Sequence, residues 1–482
     1  MSHHNSSDPR SSHVVEQRSI DYVPLNERRG KLWHQGPFWF TSNFVLLTMV
    51  TGFIGPSLGL SVWWSIIAII GGAGFGTLFM AFHANQGPTM GLPQMIQSRA
   101  QFGSRGVIFP FIATVFVYIG FMVFDTILAT DGLQHILPLH KFVLYPAVIA
   151  ISIVIAVVGH DLLHLVQRWL TYALLIVFAI LTVTAILNSP GGIALDYSGG
   201  WKLSAFLIQF SLAAGYNISY SVYVSDYTRY LPEKTSSPKL ISWVYVGAAG
   251  SATWLMSLGA ILADSTPTGN AIQAIKQLGD LVFPGFGTLS VVLSAVALIT
   301  VMGVNAYGAM LTGTSAVDGF RPVRATVRLR VVGLVVAGIV TLVVALLIPE
   351  EYLDSFNDFV VGMLYFLIPW TSINLVDYYF VRNRQYAITE IFNPNGMYRR
   401  WSWPGVVAYL AGFVAMIPFF VTSFYEGPLA QALHGADFSF IVGIAISAGL
   451  YLLFNRNKDM TAELEAKRES RRLLEQQQQE VR

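Results

Sequence analysis

The chain is 482 residues long, with 54% apolar residues, 12% charged residues and a formal charge of +2. Charges this sparse, about half the usual share of a soluble domain, exclude a string of soluble domains, and the near-neutral balance gives no footing for a nucleic-acid partner. With no cysteine, a disulfide framework, a thiol nucleophile and a thiolate metal site are excluded as well.

Residues 1–35 are polar and mixed in charge, which predicts an N-terminal tail and no cleavable signal peptide. Twelve apolar runs follow, most long enough to cross about 30 Å of hydrocarbon as a helix. The first six are Phe38–Leu58, Trp63–Phe82, Val107–Leu128, Leu144–Val158, Trp169–Leu187 and Leu203–Val224. The second six are Ser242–Leu262, Leu289–Leu311, Val331–Leu347, Phe359–Tyr378, Val406–Phe424 and Phe438–Phe454. The fourth and ninth are short. With the N-terminus placed in the cytoplasm, 26 of the 29 Lys and Arg residues fall on the inner side, leaving Lys141, Lys202 and Lys276 outside. That one-sided split predicts both termini to be cytoplasmic.

Five spans bring the chain to the outer side, so spans six to ten can repeat one to five upside down. That is the arithmetic of an inverted repeat, although the halves share no convincing sequence identity. Span one holds Thr41, Ser42, Asn43, Thr48 and Thr51, then Gly52, Gly55 and Pro56, whose backbone permits unwinding or a packing kink. Span three holds Tyr118, Gly120, Met122 and Asp125. Asp125 is a carboxylate inside an apolar run, which makes it a candidate proton carrier or cation partner, or a capping group if the span ends near Val123. At the centre of span six, Ala214-Gly215-Tyr216-Asn217 is the expected mate of the span-one interruption. Span eight carries Thr300, Asn305, Tyr307 and Thr312. The Asn305 amide suits either the edge of a nucleobase or a helix–helix hydrogen bond.

Beyond span six, YSVYVSDYTRYLP ends the membrane segment with Tyr220, Tyr223, Tyr227 and Tyr230, an expected interfacial belt. Asp226 and Arg229 lie three apart, so they can pair on one face as an inner gate or as a loop anchor. His160 and His164 have the spacing of metal ligands but no third ligand, and no hydrolase, nucleotide-binding or metalloprotease motif occurs. An enzyme and a resident metal are therefore not expected. A channel is disfavoured because the polar residues differ from span to span. KDMTAELEAKRESRRLLEQQQQEVR at the C-terminus reads as a solvated helix.

Two loop motifs, GPTMGLPQMIQSRAQFGSRG (Gly87–Gly106) and YVSDYTRYLP (Tyr223–Pro232), resemble those of nucleobase:cation symporter family one, within it most the purine–cytosine permease branch. The likeness runs from about Ile20 through span ten. It implies an all-α leucine-transporter-type fold of twelve helices, with a ten-helix inverted-repeat core at 36–380, two peripheral helices within 381–454 and a cytoplasmic tail at 455–482. It also implies alternating access in the plasma membrane, with Na⁺ or H⁺ as coupling ion and no other cofactor. Members of this family take up cytosine, purines, uracil, allantoin, hydantoins or thiamine-related pyrimidines.

By position, Tyr118 matches the aromatic of span three and Asn305 the amide of span eight. Met122 stands in the usual amide place on span three. Asn217 falls where span six often has an aromatic, with Gly215 and Tyr216 beside it, so the expectation is that Tyr118 and Tyr216 stack on the faces of the base, Asn305 reads its polar edge and Asn217 adds a hydrogen bond. Thr300 matches one hydroxyl of the sodium site, to which broken span one, here Thr48 and Gly52, adds carbonyls. Ile299 supplies no second hydroxyl, which tilts the expectation toward H⁺, with Asp125 as proton candidate. The expected activity is symport of cytosine or purines into the cell. The same carrier for allantoin, a hydantoin or a thiamine precursor, and a non-transporting sensor of such ligands, stand as alternatives.

Overall fold

The computed structural model describes residues 21–158, 160–188, 200–265, 270–321, 323 and 326–480. The chain is all-helical, and the described residues form no strand beyond one isolated bridge, Val421 to Glu426. All twelve predicted apolar segments coincide with helices. They are α1 (Leu32–Ser42 and Leu46–Ser57, bent by 64°), α2 (Val62–His83), α3 (Ile108–Gln134), α4 (Lys141–Val158), α5 (His160–Asn188) and α6 (Leu203–Ser219). The others are α7 (Ser237–Ser265), α8 (Phe286–Asp318), α9 (Val327–Leu347), α10 (Leu353–Val376), α11 (Trp403–Met416) and α12 (Ser439–Asn455). By length and apolarity seven described helices suffice to cross a bilayer singly and the bent α1 makes an eighth, while α4, α6, α11 and α12 are shorter. The chain is a multi-pass membrane protein. His160 and His164 begin α5, and their side chains lie outside the described residues.

Local chemistry sets several helix starts. Thr326 caps α9 by accepting from Leu329 N at 3.2 Å, and Asn270 caps the short Ala271–Asp280 helix by accepting from Gln273 N at 2.9 Å. Packing then sorts the helices. Large apolar side chains on α5 and α9, such as Leu187 and Leu347, are about three-quarters exposed, as lipid-facing helices require. The interiors of α3 and α10 are buried.

The packing partners repeat under a shift of five helices. Contacts of α1 with α7 are mirrored by α6 with α2, α4 with α8 by α9 with α3, and α3 with α10 by α8 with α5. The pairs α3–α8, α2–α7 and α4–α9 map onto themselves. Two sets of five helices are thus related by structure where sequence identity shows nothing. α11 and α12 pack on each other and against α10.

Candidate substrate and coupling site

The first interruption lies at Asn43–Val45, between the two halves of α1. This is earlier than the expected Gly52–Pro56. A Cβ on Gly52 would overlap the Met256 carbonyl, so that glycine lets α1 approach α7 and does not open the helix. Side chains from elsewhere hold the break. Asn43 Nδ2 donates to Asn217 Oδ1 at 2.9 Å and to Ala248 O at 3.0 Å. Thr48 donates to Asn43 O at 2.7 Å, and its oxygen lies 2.9 Å from the Tyr216 hydroxyl, a hydroxyl–hydroxyl hydrogen bond. Tyr220 donates to Asn43 Oδ1 at 3.2 Å. Further along, Gln209 accepts from Gly55 N at 2.6 Å and donates to Thr51 O at 3.2 Å.

The second interruption also differs from expectation. α6 runs unbroken through Gly215, Tyr216 and Asn217, and the chain turns at Tyr220–Tyr223 before a short helix at Val224–Thr228. Gly215 permits close packing instead, since a Cβ there would sit 2.6 Å from Val360 O. The two breaks meet through the Tyr220–Asn43 hydrogen bond, as interrupted mates of an inverted repeat do.

The tyrosines of the second break turn inward. Tyr220, Tyr223 and Tyr227 pack around Trp39, with ring centroids 6.2, 6.2 and 5.5 Å from it. Tyr118 stacks on Tyr223, with centroids 5.8 Å apart and planes at 21°. Tyr216 presents its ring edge-on to Phe121 at 5.5 Å. The aromatic that faces Tyr118 is therefore not Tyr216 but Tyr223, in the turn after α6, which the sequence pattern placed in an interfacial belt.

α3 and α8 run side by side in a fixed register. Tyr118 lies against Gly308, Met122 packs with Ala306, and Thr126 donates to Met302 Sδ at 3.9 Å. Asn305 is thus level with Met122. The residue is 7% exposed, and its side chain forms no hydrogen bond among the described residues. Met122 is wholly buried and its sulfur accepts from Thr341 at 3.8 Å, so it packs toward α9. Thr300 donates back to Ala297 O at 2.7 Å, as a hydroxyl on a membrane helix does. Asp125 is 1% exposed, Oδ2 has no hydrogen-bond partner among the described residues, and the carboxyl lies within electrostatic reach of Tyr216 and Tyr220.

The two loop motifs pack against each other. A Cβ on Gly87 would overlap the Thr228 hydroxyl, and Thr228 donates to Ala84 O at 2.8 Å. Asp226 Oδ1 accepts from Gln94 N at 2.7 Å. Arg229 Nε donates to the Asp226 carbonyl at 3.2 Å, and its guanidinium lies 5.1 Å from the Tyr230 ring.

A model of the family described as permeases for cytosine/purines, uracil, thiamine and allantoin matches residues 22–443. The chain belongs to this family. A putative purine-cytosine permease, YxlA of Bacillus subtilis, is 38% identical over 443 residues, covering 91% of this chain and 95% of its own. The purine-cytosine permease FCY21 of Saccharomyces cerevisiae is 24% identical over 89% of this chain and 84% of its own. Among solved structures, Mhp1, a nucleobase-cation-symport-1 family transporter in a closed conformation with bromovinylhydantoin bound, superimposes with a TM-score of 0.70 at 17% identity, covering 94% of this chain and 99% of Mhp1. A Na⁺-coupled sialic acid symporter has a TM-score of 0.61 at 14% identity, covering 90% of this chain and 91% of its own. Likeness at that identity establishes the fold, a leucine-transporter type, and family membership makes the chain a permease and not an enzyme.

Proposed function

We propose that this permease imports a nucleobase, cytosine or a purine, across the plasma membrane together with a cation, H⁺ before Na⁺, by alternating access, with both termini in the cytoplasm. The observation that carries the substrate class is Asn305. Its amide forms no hydrogen bond among the described residues, and it has two donors and an acceptor to offer the polar edge of a base. The ring of Tyr118, one turn before Met122 on α3, and that of Tyr223, in the turn after α6, lie nearly parallel and suit the flat faces of such a ring. Tyr216, Asn217 and Thr48 support the pocket from behind by holding the α1 break, with Gly215 and Gly52 setting helix spacing. Met122 lies at the same level on the far side of α3. Asp226 and Arg229 secure the α6 exit as a gate.

Coupling to protons draws its support from Asp125. A carboxylate in hydrocarbon with an unpartnered oxygen is stable when it carries a proton or faces a cation. Its place near Tyr216 and Tyr220 lets its state bear on the α1 break. Thr300, whose hydroxyl keeps lone pairs free, is the remaining cation candidate.

Uptake of radiolabelled cytosine into cells lacking their own base permeases tests the reading, with unlabelled bases, allantoin and hydantoins as competitors. Accumulation suppressed by cytosine and adenine supports it. Accumulation suppressed only by the ureides would assign the substrate to that class, and binding without accumulation would make the chain a sensor.

A further inference from the structure

The C-terminal helix α13 (Thr461–Glu480) is not the solvated tail its charge pattern predicts. Glu463, Lys467, Ser470 and Leu474 fall on one face, and that face packs onto the protein. Lys467 donates to Gln385 at 2.6 Å and Thr389 N donates to Ser470 at 3.0 Å. Glu463 is 1% exposed and sits at the head of a buried ion cluster. Its Oε1 accepts from Arg382 Nε at 2.8 Å and from the Tyr398 hydroxyl at 2.7 Å, and the Lys458 ammonium lies 3.0 Å from Oε2 as an ion pair. Arg382 also pairs with Asp377, which the wide turn Asp377–Val381 at the end of α10 brings inward.

From Asp377 a single file of buried side chains leads across the molecule. Gln101 donates to Asp377 Oδ2 at 2.7 Å, Asn374 to Gln101 at 3.4 Å, Gln86 to Asn374 at 2.5 Å and Gln94 to Gln86 at 2.7 Å. The Gln94 backbone N–H then donates to Asp226, at the exit of α6. Every side-chain amide in the file donates toward Asp377, an arrangement in which each of these bonds polarises the next. All four amides are buried, so water offers no ready replacement for a lost link.

We infer that Glu463 is a positioning residue for gating: by holding Arg382 against Asp377, α13 fixes the amide file and through it resists opening at the α6 exit. Regulation of transport by α13 rests on the transporter reading above, whereas the mechanical link stands on the contacts alone. A contiguous file is a physical route, and coupling along it is shown only by measurement.

The chain has no cysteine, so one introduced thiol is a clean reporter. Ser221 suits this, being wholly buried at the second break with a hydroxyl that has no hydrogen-bond partner among the described residues. The experiment measures the rate at which Ser221→Cys in the purified full chain reacts with a maleimide, without substrate. Glu463→Gln should raise the rate by about tenfold, the ratio equivalent to roughly 1.4 kcal/mol. Tyr398→Phe, which removes one hydrogen bond and little bulk, should raise it by less and carries the test if Glu463→Gln is not recovered folded. Glu465→Gln, on the exposed face of α13, should leave it unchanged. Combining Glu463→Gln with Gln101→Leu should add little to the larger single effect, because both cut one file. An unchanged rate in folded Glu463→Gln, or single effects that multiply in the double variant, would overturn the inference. Because no substrate is present, failure of nucleobase uptake would strike the functional reading and leave this result standing.

Discussion

The cluster around Arg382 and the region around Asn305 and Asp125 are both buried, yet they treat their polar groups in opposite ways. Around Arg382, two carboxylates face a guanidinium and an ammonium, and the hydroxyls of Tyr386, Tyr398 and Tyr451 donate to those carboxylates at 2.7 to 2.8 Å. Around Asn305, an amide has no partner among the described residues and a carboxylate oxygen is unpaired. For the wholly buried Asp125 oxygen, an unsatisfied group costs about 1–3 kcal/mol. The charge-paired cluster reads as architecture, and the groups without a charged or hydrogen-bonded partner read as places where a ligand or ion completes the chemistry.

The comparison is most exposed at Asp377. Asp377→Ala leaves Arg382 without its nearest carboxylate and strands donors on Gln101, Tyr386 and Tyr451. Breaking a buried pair from one side costs about 3–5 kcal/mol, so thermal unfolding of the purified protein should shift strongly downward. A shift equivalent to less than about 1 kcal/mol would show that pairing there is not structural. Next in size is Asn305→Ala. It breaks no protein hydrogen bond, so unfolding should hardly move, while apparent affinity for the nucleobase should fall about tenfold to a hundredfold. Unchanged affinity in folded protein would remove Asn305 from the pocket.

Smaller again is Asn217→Ala. This side chain is occupied on both sides, accepting from Asn43 and donating to Ala213 O at 2.9 Å. Its loss should cost about 1–2 kcal/mol of stability, with substrate binding weakened only through the loosened α1 break. Loss of affinity as large as in Asn305→Ala, with stability intact, would instead make Asn217 a direct ligand.

Helix positions were legible in the sequence because apolar runs of membrane length have few other uses, and each predicted run meets a helix. The breaks were not. Gly52 and Gly215 look like points of unwinding, but both serve close approach to a neighbouring helix. Interruption at Asn43 has no glycine or proline and depends on nearby Thr48 and on Asn217 and Tyr220, which are distant in sequence. Asn43 is the only amide in its run, and that was the available signal. Tyr223 was missed because a tyrosine near a span end reads equally well as an interfacial anchor. The seat of α13 was hidden for a similar reason. Glu463 resembles its exposed neighbours until Arg382 and Tyr398 are brought to it by folding.

The finest separation between the two regions comes from making the same change in both. Asp125→Asn replaces a carboxyl by an amide of nearly the same shape where Oδ2 makes no hydrogen bond, so stability should change by no more than about 0.5 kcal/mol. Asp377→Asn, equally isosteric, removes a charge that Arg382 needs and should destabilise clearly. Function should show the reverse order of sensitivity to a proton gradient. An asparagine at 125 neither binds nor releases a proton, so stimulation of cytosine uptake by an inward proton gradient should vanish while binding of the base persists. Were Asp125→Asn to unfold the protein as readily as Asp377→Asn, Asp125 would have a structural partner. Were uptake to stay proton-stimulated, the coupling group would lie elsewhere, with Thr300 and the α1 carbonyls next to be tested against a sodium gradient.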